Sequence, residues 1–460
     1  MSGFNVSDLQ AFAREEFGQS DLGDARLDDR LQKLVEKLAA DPGMSIPKAL
    51  GDWSQTKAAY RFFANDDVTR EKILDPHYRA TSKRLKEMES VLVVQDTCYL
   101  NYTHHPATDG LGNIGSKGQK NQLRGVMIHS ALAVEPGTHR VLGLLDQQVI
   151  VRKDDPAAEE RSRKRRRPHR ESLKWPQGAR NAAGRVQQPG KLVFVFDREG
   201  DLFEAIEEIQ DLGARFVIRA NYNRRLQEAQ GKSAYLLEAI REAPVIAHMP
   251  VQVAAGGGRP QRTAEVALHA GCYAIMPPKA RNRRGAAREV NVLWIVEEHP
   301  PQGEDALEWI LLTSESLETP EAAVTVARHY CGRWKIEEWH KALKTGCRVE
   351  ERQLEAWDRL EVLLAIFSVI AWRLLALRDA ARSDAPCPPD ALSNEDRTIL
   401  RNLVPSLPKG AKAREYLRAI AKLGGFLGRK SDGEPGWITL WRGYTRLCDM
   451  RLGYRAAGGH

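Results

Sequence analysis

One short segment of the chain carries five polar side chains whose spacing would bring them to one side of a helix. At roughly 100° per residue, a helix over residues 330–344 would hold all five within about 80° of arc: Tyr330, Arg333, Glu337, Lys341 and Lys344. The opposite side would be buried and would carry Gly332, Ile336, Trp339 and Leu343. A single carboxylate among cations, on a helix anchored from behind, favours a metal ligand beside phosphate-binding groups. The alternative is a solvated face of i,i+4 ion pairs.

Two aspartates follow short apolar runs of the kind that form buried strands. Asp96 closes the run VLVVQ at 91–95, and Asp197 closes the run KLVFVF at 191–196. Catalytic and ligand-binding side chains of α/β sheets commonly project from such strand ends. Together with Glu337, the two aspartates would make an all-oxygen site, which Mg²⁺ or Mn²⁺ prefers. Taken singly, an aspartate after a strand is more often a turn former or a helix cap.

The segments around these residues alternate as in an α/β layer. The predicted elements are strands at 91–95, 126–134, 141–151, 191–196 and 215–219, and a helix at 202–212. The chain between Asp197 and Glu337 is longer than a compact α/β core needs to connect its second acid to its final helix. Alternating apolar and polar runs across residues 221–315 therefore predict an inserted, mainly β subdomain.

These motifs resemble those of a known family, the DDE transposases of bacterial insertion sequences. The resemblance is closest to the IS-four family, which includes the hairpin-forming cut-and-paste transposase of transposon five. It rests on Asp96, on Asp197 within DREGD, and on the signature Y-x2-R-x3-E-x6-K from Tyr330 to Lys344. Similar segments extend over nearly the whole chain: LGDARLDDRL (22–31), AYRFF (59–63), the segment 124–130, WILLTSE (309–315) and LGGFLGRK (423–430).

The resemblance implies an α/β fold: an RNase-H-like (retroviral-integrase-like) catalytic core with an inserted mainly-β subdomain, between helical N-terminal and C-terminal domains. The expected domains are 1–70 for binding the transposon end, 71–372 for catalysis with the β insertion near 221–315, and 373–460 for dimerisation. Apolar periodicity predicts helices at 8–17, 25–40, 48–63, 359–378, 394–404 and 410–423. The final segment, RLGYRAAGGH, is shorter than the family's long dimerisation helix, so the dimer contact is expected to be weak in the absence of DNA.

The resemblance also assigns side chains to DNA contact. The family's phosphate-contacting positions match Arg198, Arg219, Arg333, Lys341, Lys344 and the phenol of Tyr330. Trp309 matches the family's base-stacking tryptophan, although its residue type alone would equally fit a strand core. Trp334 falls near the polar stripe and is a further candidate. Arginine suits guanine edges and phosphates, so the end-binding candidates on the N-terminal helices, with solvated side chains as the alternative, are Arg26, Arg30 and Arg61.

Composition sets wider bounds on partners and location. The net charge of +8 favours a polyanionic partner, and the basic run RSRKRRRPHR at 161–170 is interpreted as a phosphate contact. The six cysteines include no CxxC pair, which argues against a zinc ribbon or a disulfide framework and fits a reducing cytoplasm. No signal peptide is recognisable, and the apolar run 362–372 is shorter than the ~20 residues that span a bilayer. A cytoplasmic, nucleoid-associated protein is expected.

The reaction implied by the resemblance is cut-and-paste transposition by a homodimer bound to two paired transposon ends. Two Mg²⁺ or Mn²⁺ ions on Asp96, Asp197 and Glu337 would activate water to cut one DNA strand at the end of the element. The resulting 3′-hydroxyl would attack the opposite strand to form a hairpin, which water would reopen before the same hydroxyl attacks target DNA. Each step is an in-line phosphoryl transfer, so one metal cluster with ions about 3.5–4 Å apart can serve all of them.

Two other functions would use part of the same sequence. A structure-selective RNase-H-like nuclease would share the three acids but needs neither an end-binding module nor a base-stacking tryptophan. A domesticated DNA-binding protein without transposition activity would normally have lost one acid, and Asp96, Asp197 and Glu337 are all present.

Overall fold

The computed structural model describes most of the chain. The described residues are 9–115, 123–152, 170–230, 233–253, 262–278, 286–382, 394–408, 410–429 and 434–458, together with residues 392 and 432. Of the predicted basic run, only Arg170 lies within these ranges. It forms an ion pair with Glu204 at 2.5 Å.

A mixed β-sheet lies at the centre of the described structure. Its strands are β1 (Val91–Asn101), β2 (Gly112–Asn113), β3 (Arg124–Val134), β4 (Val141–Ile150), β5 (Leu192–Phe196), β6 (Arg215–Arg219), β7 (Arg225–Gln230), β8 (Ser233–Tyr235), β9 (Val245–Val253), β10 (Arg262–Ile275), β11 (Arg288–Glu297) and β12 (Glu308–Thr313). The part of the sheet that carries the acids has the order β4–β3–β1–β5–β6. β1, β3 and β4 pair antiparallel, whereas β5 and β6 continue parallel to β1. The predicted strands of the core are thus all present.

The inserted segment is mainly β, and it extends the core sheet. β12 pairs antiparallel with β6, and β11 and β10 follow in order. The insertion is therefore joined to the catalytic sheet edge to edge, so a strand of the insertion lies beside a strand of the core.

Helices cover both faces of the sheet and form the two ends of the chain. They are α1 (Leu9–Phe17), α2 (Ala25–Ala40), α3 (Ile46–Leu50), α4 (Trp53–Phe63), α5 (Arg70–Arg84), α6 (Lys174–Gly184), α7 (Phe203–Asp211), α8 (Leu236–Arg241), α9 (Pro320–Cys331), α10 (Trp334–Lys341), α11 (Trp357–Arg382), α12 (Asn394–Leu403), α13 (Ala413–Leu423) and α14 (Trp437–Ala456). α11 is the long buried helix predicted from its apolar run. Within the described ranges, no helix is long and apolar enough to cross a membrane.

The predicted helix 48–63 is wrong, because two helices occupy this segment. α3 ends at Gly51, whose φ of 85° lies in the left-handed region that glycine adopts without strain. α4 then starts at a new N-cap, where the side chain of Asp52 accepts a hydrogen bond from Gln55 N at 2.8 Å. The end-binding candidate Arg61 lies at the other end of α4, in its last turn.

The helix α14 was not predicted individually, although residues 373–460 were expected to be helical; the last helix predicted from periodicity was 410–423. Its two internal glycines obscure the helical pattern. Gly443 is needed for close packing, since a Cβ there would lie 1.8 Å from Ile420 O, and a Cβ on Gly424 would lie 1.8 Å from Thr439 O. The backbones of α13 and α14 therefore touch, which only glycine permits.

A buried polar cluster fastens the N-terminal helices to the sheet. His77 Nε2 accepts a hydrogen bond from Leu144 N at 3.0 Å, so its proton is on Nδ1, which donates to Glu16 at 2.5 Å. Arg84 pairs with the same carboxylate and lies 4.5 Å from the centre of the Trp372 ring. Burial lowers the pKa of His77 to about 3, so the imidazole is neutral. The cluster joins α1 and α5 to β4 and α11.

Candidate active site

The two aspartates lie next to each other on adjacent parallel strands. The pairing of β1 with β5 ends at Val94 and Val195, and Asp96 and Asp197 follow two residues later on each chain segment. Asp197 keeps an extended backbone, with φ of −81° and ψ of −168°. Residues two apart on a strand point to the same face, and paired residues of parallel strands share a face. The two carboxylates therefore project from the same side of the sheet.

The prediction that Asp96 ends its strand is wrong. β1 continues through Asp96 to Asn101, because β3 goes on pairing with it, and the Cα partner of Asp96 is Ser130. Only the parallel neighbour stops, since β5 ends at Phe196. The candidate site thus lies in a notch where one strand ends and its neighbour continues. In this notch Asp96 Oδ1 accepts a hydrogen bond from Thr97 N at 2.7 Å.

The prediction of one continuous helix over 330–344 is also wrong. α9 ends at Cys331 and α10 begins at Trp334, and the backbone between them tightens into hydrogen bonds three residues apart, such as Arg333 N to Tyr330 O at 3.0 Å. Residues 342–346 then widen into a π-helical turn. At the break, a Cβ on Gly332 would lie 2.9 Å from Leu92 Cδ1. Close packing on β1 therefore coincides with the change of helix.

The break changes which predicted residues face solvent. Tyr330 and Arg333 are buried, at 2% and 8% exposure, whereas Lys341 is exposed and Trp334 is 52% exposed. The predicted buried side is confirmed, since the fully or nearly fully buried residues include Gly332, Ile336, Trp339 and Leu343. The helix pair is thus anchored as predicted, but its polar residues do not form one solvent-facing stripe.

Arg333 links the helix to the acids on the sheet. Its Nη2 donates to Glu337 Oε1 at 2.8 Å, and its guanidinium lies 4.7 Å from the centre of the Trp334 ring. Burial raises the pKa of Asp96 to about 7, and the charges of Asp197 and Glu337 add to that rise, while Thr97 N and Arg333 oppose it. The three predicted acids are therefore close enough for their charges to interact.

The donor set fits a hard divalent cation by its chemistry. Three carboxylates are the oxygen ligands such ions prefer. A cation would also offset the charges of Asp197 and Glu337, which add to the burial that raises the pKa of Asp96. Within the described ranges, however, no three acidic, histidine or cysteine side chains are grouped so that they could hold an ion. Glu337 is turned toward Arg333, so this carboxylate would have to leave that pair to join the two aspartates.

A second cluster lies beside the acids, where β12 and β6 meet α9. The rings of Trp309 and Tyr330 pack edge to face with centroids 5.2 Å apart. Arg219 donates to Glu308 O at 3.1 Å. Burial raises the pKa of Tyr330, and Arg333 and Arg219 oppose that rise, which places both cations near the phenol. Trp309 is only 7% exposed and so occupies a core position in this structure.

Two further cationic candidates lie on segments next to β1 and β5. Lys344 Nζ lies 3.1 Å from Glu350 Oε1, and the same oxygen accepts from Asn101 N at 2.8 Å, at the far end of β1. Arg198 is exposed, directly after Asp197. Its charge contributes to lowering the pKa of Arg219, although burial is the main cause. Arg198 thus lies beside Asp197, and Lys344 lies near the end of β1, five residues beyond Asp96.

The N-terminal arginines lie on other elements. Arg26 is on the first turn of α2, where it pairs with the N-cap residue Asp24 at 2.7 Å and remains 91% exposed. Arg30 follows one turn later and is partly buried, and Arg61 is exposed in the last turn of α4. These positions suit contact with an external partner, but the structure shows none of them at the notch.

A buried polar layer beneath Asp96 was not predicted from the sequence. His129 Nδ1 lies 3.0 Å from Thr97 Oγ1, and its Nε2 lies 2.9 Å from the side-chain amide of Gln95. Burial holds the pKa of His129 well below its ordinary value. The layer connects the residues on either side of Asp96 to β3. Polar residues within otherwise apolar strands were the sequence feature that could have indicated this layer.

His340 was missed as well. It lies one helical turn after Glu337, is 8% exposed, and its Nε2 has no hydrogen-bond partner among the described residues. Burial lowers the pKa of His340 to about 3. Its helical position beside the predicted polar stripe could have identified it.

Comparison with known families agrees with this geometry. Three family models match the chain: a transposase DNA-binding domain over residues 9–68, a transposase DDE domain over 179–373, and a transposase Tn5 dimerisation domain over 369–459. The chain therefore belongs to the DDE transposases of the IS-four family, which includes the transposase of transposon five.

Membership of this family settles the broad function. The central sheet is an RNase-H-like core, as predicted, flanked by helical terminal regions. The protein is a DNA transposase, an enzyme that cleaves DNA and transfers strands, and its family generally uses divalent metal ions. DNA is its partner, and the match over 369–459, which includes α14, identifies a dimerisation domain in the region predicted for dimerisation.

Proposed function

We propose that this transposase binds the terminal inverted repeats of a bacterial mobile element and moves it by cut-and-paste transposition through a DNA hairpin. The observation that carries the proposal is the notch beyond the β1–β5 pairing, where Asp96 and Asp197 follow the last paired residues in register. Burial is the main cause of the raised pKa of Asp96, and the charges of Asp197 and Glu337 add to it, so Glu337 lies within electrostatic reach of Asp96 across the notch. Three carboxylates whose charges interact, next to the buried Arg333, suit phosphoryl transfer on a polyanion.

The three acids would hold two Mg²⁺ or Mn²⁺ ions. Such ions, when bound, polarise the phosphate and lower the pKa of an attacking water or hydroxyl. For Glu337 to join the aspartates, it would exchange its contact with Arg333 for the ion. Arg333 would then turn its guanidinium to a phosphate oxygen, a strong charge-assisted contact. In this way the helix pair would position both the acid and the DNA backbone.

The surrounding cations would hold the distorted DNA end. Phosphate contacts position a duplex without reading its sequence, and this role is assigned to Arg198, Arg219, Lys341, Lys344 and the phenol of Tyr330. Sequence recognition would fall to the N-terminal domain, residues 1–70, through Arg26, Arg30 and Arg61. The catalytic domain would comprise 71–372 and the dimerisation domain 373–460. Two subunits would pair two transposon ends in one synaptic complex before capturing target DNA.

Hairpin formation requires a base to leave the helical stack and rest on an aromatic ring. Such stacking contributes about 1–3 kcal/mol per base. Trp309 would have to part from Tyr330 to offer its face, because it is 7% exposed. Trp334 is 52% exposed and needs no such movement. We assign both to DNA contact, with Trp309 as the base platform.

The test is a cleavage assay on end duplexes, with single substitutions Asp96→Ala, Asp197→Ala and Glu337→Ala. Each should abolish metal-dependent nicking, hairpin formation and strand transfer while end binding in a gel shift is retained. Glu318→Ala, at an exposed position before α9, is the matched control and should behave as wild type. Metal-dependent cutting by any of the three acid variants would overturn the assignment.

The same assay separates the alternative functions. A structure-selective nuclease would cut branched or unpaired DNA without needing the terminal repeat. A domesticated DNA-binding protein would bind the repeat and cut nothing in Mg²⁺ or Mn²⁺. The proposed function predicts repeat-dependent hairpin products, and Trp309→Ala should stop the reaction at the nick.

A further inference from the structure

The loop that carries Asp197 is fixed tightly against the sheet. Asp197 Oδ1 accepts a hydrogen bond from Glu199 N at 2.8 Å, which starts a 3-10 turn over Arg198–Gly200. A Cβ on Gly200 would lie 2.6 Å from Phe196 Cβ and 2.9 Å from Trp175 Cε3. Little space is therefore left for the loop to shift toward the sheet.

The last residue of this loop, Asp201, is a fully buried carboxylate. Its Oδ2 accepts hydrogen bonds from Asn221 N at 2.7 Å and Tyr222 N at 2.9 Å. Its Oδ1 pairs with Arg224, whose side chain is 5% exposed and whose Nη2 also donates to Asp201 O at 3.1 Å. Both carboxylate oxygens are thus engaged inside the protein. Asp201 is therefore a partner of the backbone and of Arg224, and no lone acid remains in the loop beyond Asp197.

The residues that hold Asp201 form the root of the β insertion. They connect β6, which ends at Arg219, to β7. Asn223 Oδ1 accepts from Leu237 N at 3.0 Å, and Arg224 O accepts from Leu236 N at 2.9 Å, so the same turn also fixes the start of α8. One buried ion pair thus joins the loop of a candidate catalytic acid to the insertion, four residues from that acid.

We propose that Asp201 and Arg224 are positioning residues that hold Asp197 in the orientation needed to bind a divalent cation. The inference rests on the proposed function, in which Asp197 is a metal ligand. A buried ion pair gives little net stability compared with apolar residues of the same volume, because both charges are desolvated. A buried pair next to the loop that carries a metal ligand can instead fix the direction of that loop. Groups that hold metal ligands from behind orient those ligands in a similar way. The pair also makes the geometry at Asp197 depend on the root of the insertion.

The test measures metal binding directly, with Mn²⁺ as the probe and electron paramagnetic resonance as the readout, on the full chain bound to an end duplex. Asp201→Asn should raise the Mn²⁺ dissociation constant about 10- to 100-fold, the range for loss of an outer partner. Arg224→Lys keeps the cation but loses the planar fork, so a smaller rise is expected. Affinity for the end duplex should stay at the wild-type value in both variants.

The control is Asp211→Asn on the neighbouring helix α7. Asp211 pairs with Arg288 at 2.9 Å but is 59% exposed, so its loss should leave Mn²⁺ binding unchanged. A purely structural role of the buried pair would lower the melting temperature of Asp201→Asn without moving the Mn²⁺ dissociation constant of the folded protein, and that result would overturn the proposal. If Asp201→Asn does not fold, the melting temperature and the Mn²⁺ dissociation constant of Arg224→Lys decide between the two roles. If neither folds, the pair is a folding determinant and the proposal fails.

Asp197→Ala separates this inference from the proposed function. Unchanged Mn²⁺ binding and cleavage in Asp197→Ala would show that Asp197 is not a ligand, and the proposed function would fail. Loss of both in Asp197→Ala, with wild-type Mn²⁺ binding in Asp201→Asn, would refute only the positioning role.

Discussion

The cluster that fastens the N-terminal helices to the sheet makes a quantitative prediction for the substitution Glu16→Gln. Glu16 is 1% exposed, accepts a hydrogen bond from His77 Nδ1 at 2.5 Å and pairs with Arg84. Glutamine keeps the volume and one acceptor oxygen but removes the charge. The guanidinium of Arg84 would then lose its buried counter-charge, in a site where water screens little, and would keep only the exposed Glu15 at 3.6 Å.

The magnitude follows from what each partner loses. A hydrogen bond to a charged group contributes about 1.5–3 kcal/mol and a neutral one about 0.5–1.5 kcal/mol, while breaking a buried ion pair costs about 3–5 kcal/mol. Arg84 keeps 14% exposure and its hydrogen bond to Leu142 O at 3.0 Å. Because of this remaining solvation, we expect the free energy of unfolding to fall by about 2–4 kcal/mol.

Urea unfolding at pH 7, followed by circular dichroism, measures this loss. The neighbouring Glu15→Gln is the control, because Glu15 is 57% exposed and 3.6 Å from Arg84, and its effect should stay within about 0.5 kcal/mol. Equal stabilities of Glu16→Gln and wild type would refute the reasoning that the cluster is an ion pair in a desolvated site.

Three further results are expected. Burial lowers the pKa of His77 from 6.5 to about 3, so on acidification the unfolded chain takes up a proton before the folded protein does. The neutral imidazole therefore contributes its full stability above pH ~6.5. Below that pH, the free energy of unfolding should fall by about 1.4 kcal/mol per pH unit. In unfolding curves at pH 7, 6 and 5, the free energy of unfolding of His77→Gln should lack this pH dependence. Equal pH slopes for His77→Gln and wild type would contradict the prediction. Gly443→Ala should destabilise the α13–α14 pair by about 1–3 kcal/mol through overpacking, whereas Gly453→Ala, which meets nothing within 4 Å, should be neutral or slightly stabilising in thermal melts. Lys341→Ala should lower the salt slope of end binding by about one, while exposed Lys86→Ala should leave it unchanged; equal slopes for the two variants would remove Lys341 from the interface.

The pairing of the two aspartates could be predicted from local sequence. Val91–Gln95 and Leu192–Phe196 are apolar runs that fit only buried strands, and parallel neighbours bring the residues after them together. The continuation of β1 beyond Asp96 could not be predicted from local sequence, because it depends on pairing with β3, a separate segment of the chain. Local patterns thus located the acids, while long-range pairing shaped the notch around them.

Two of the helical errors have a common physical cause. Gly332, at the break between α9 and α10, and Gly443, within α14, lie where a backbone or a side chain approaches too closely for a Cβ. Such contacts join residues distant in sequence, such as Gly332 with Leu92 and Gly443 with Ile420, and leave no periodic signal. The burial of Trp309 against Tyr330 is likewise a tertiary contact. A helical projection of the segment 330–344 could not contain it.

The ion pairs around the site determine how the cations can meet DNA. Arg333 is paired with Glu337, and Lys344 with Glu350. A phosphate that takes the place of either carboxylate gains only the difference between two charge-assisted contacts. Lys341 has no ion pair within the described ranges, and it is exposed. Its contact with a phosphate would exchange only water and counterions, which is the case to which the simple salt relation applies. Equal charges at this site therefore need not contribute equally to binding.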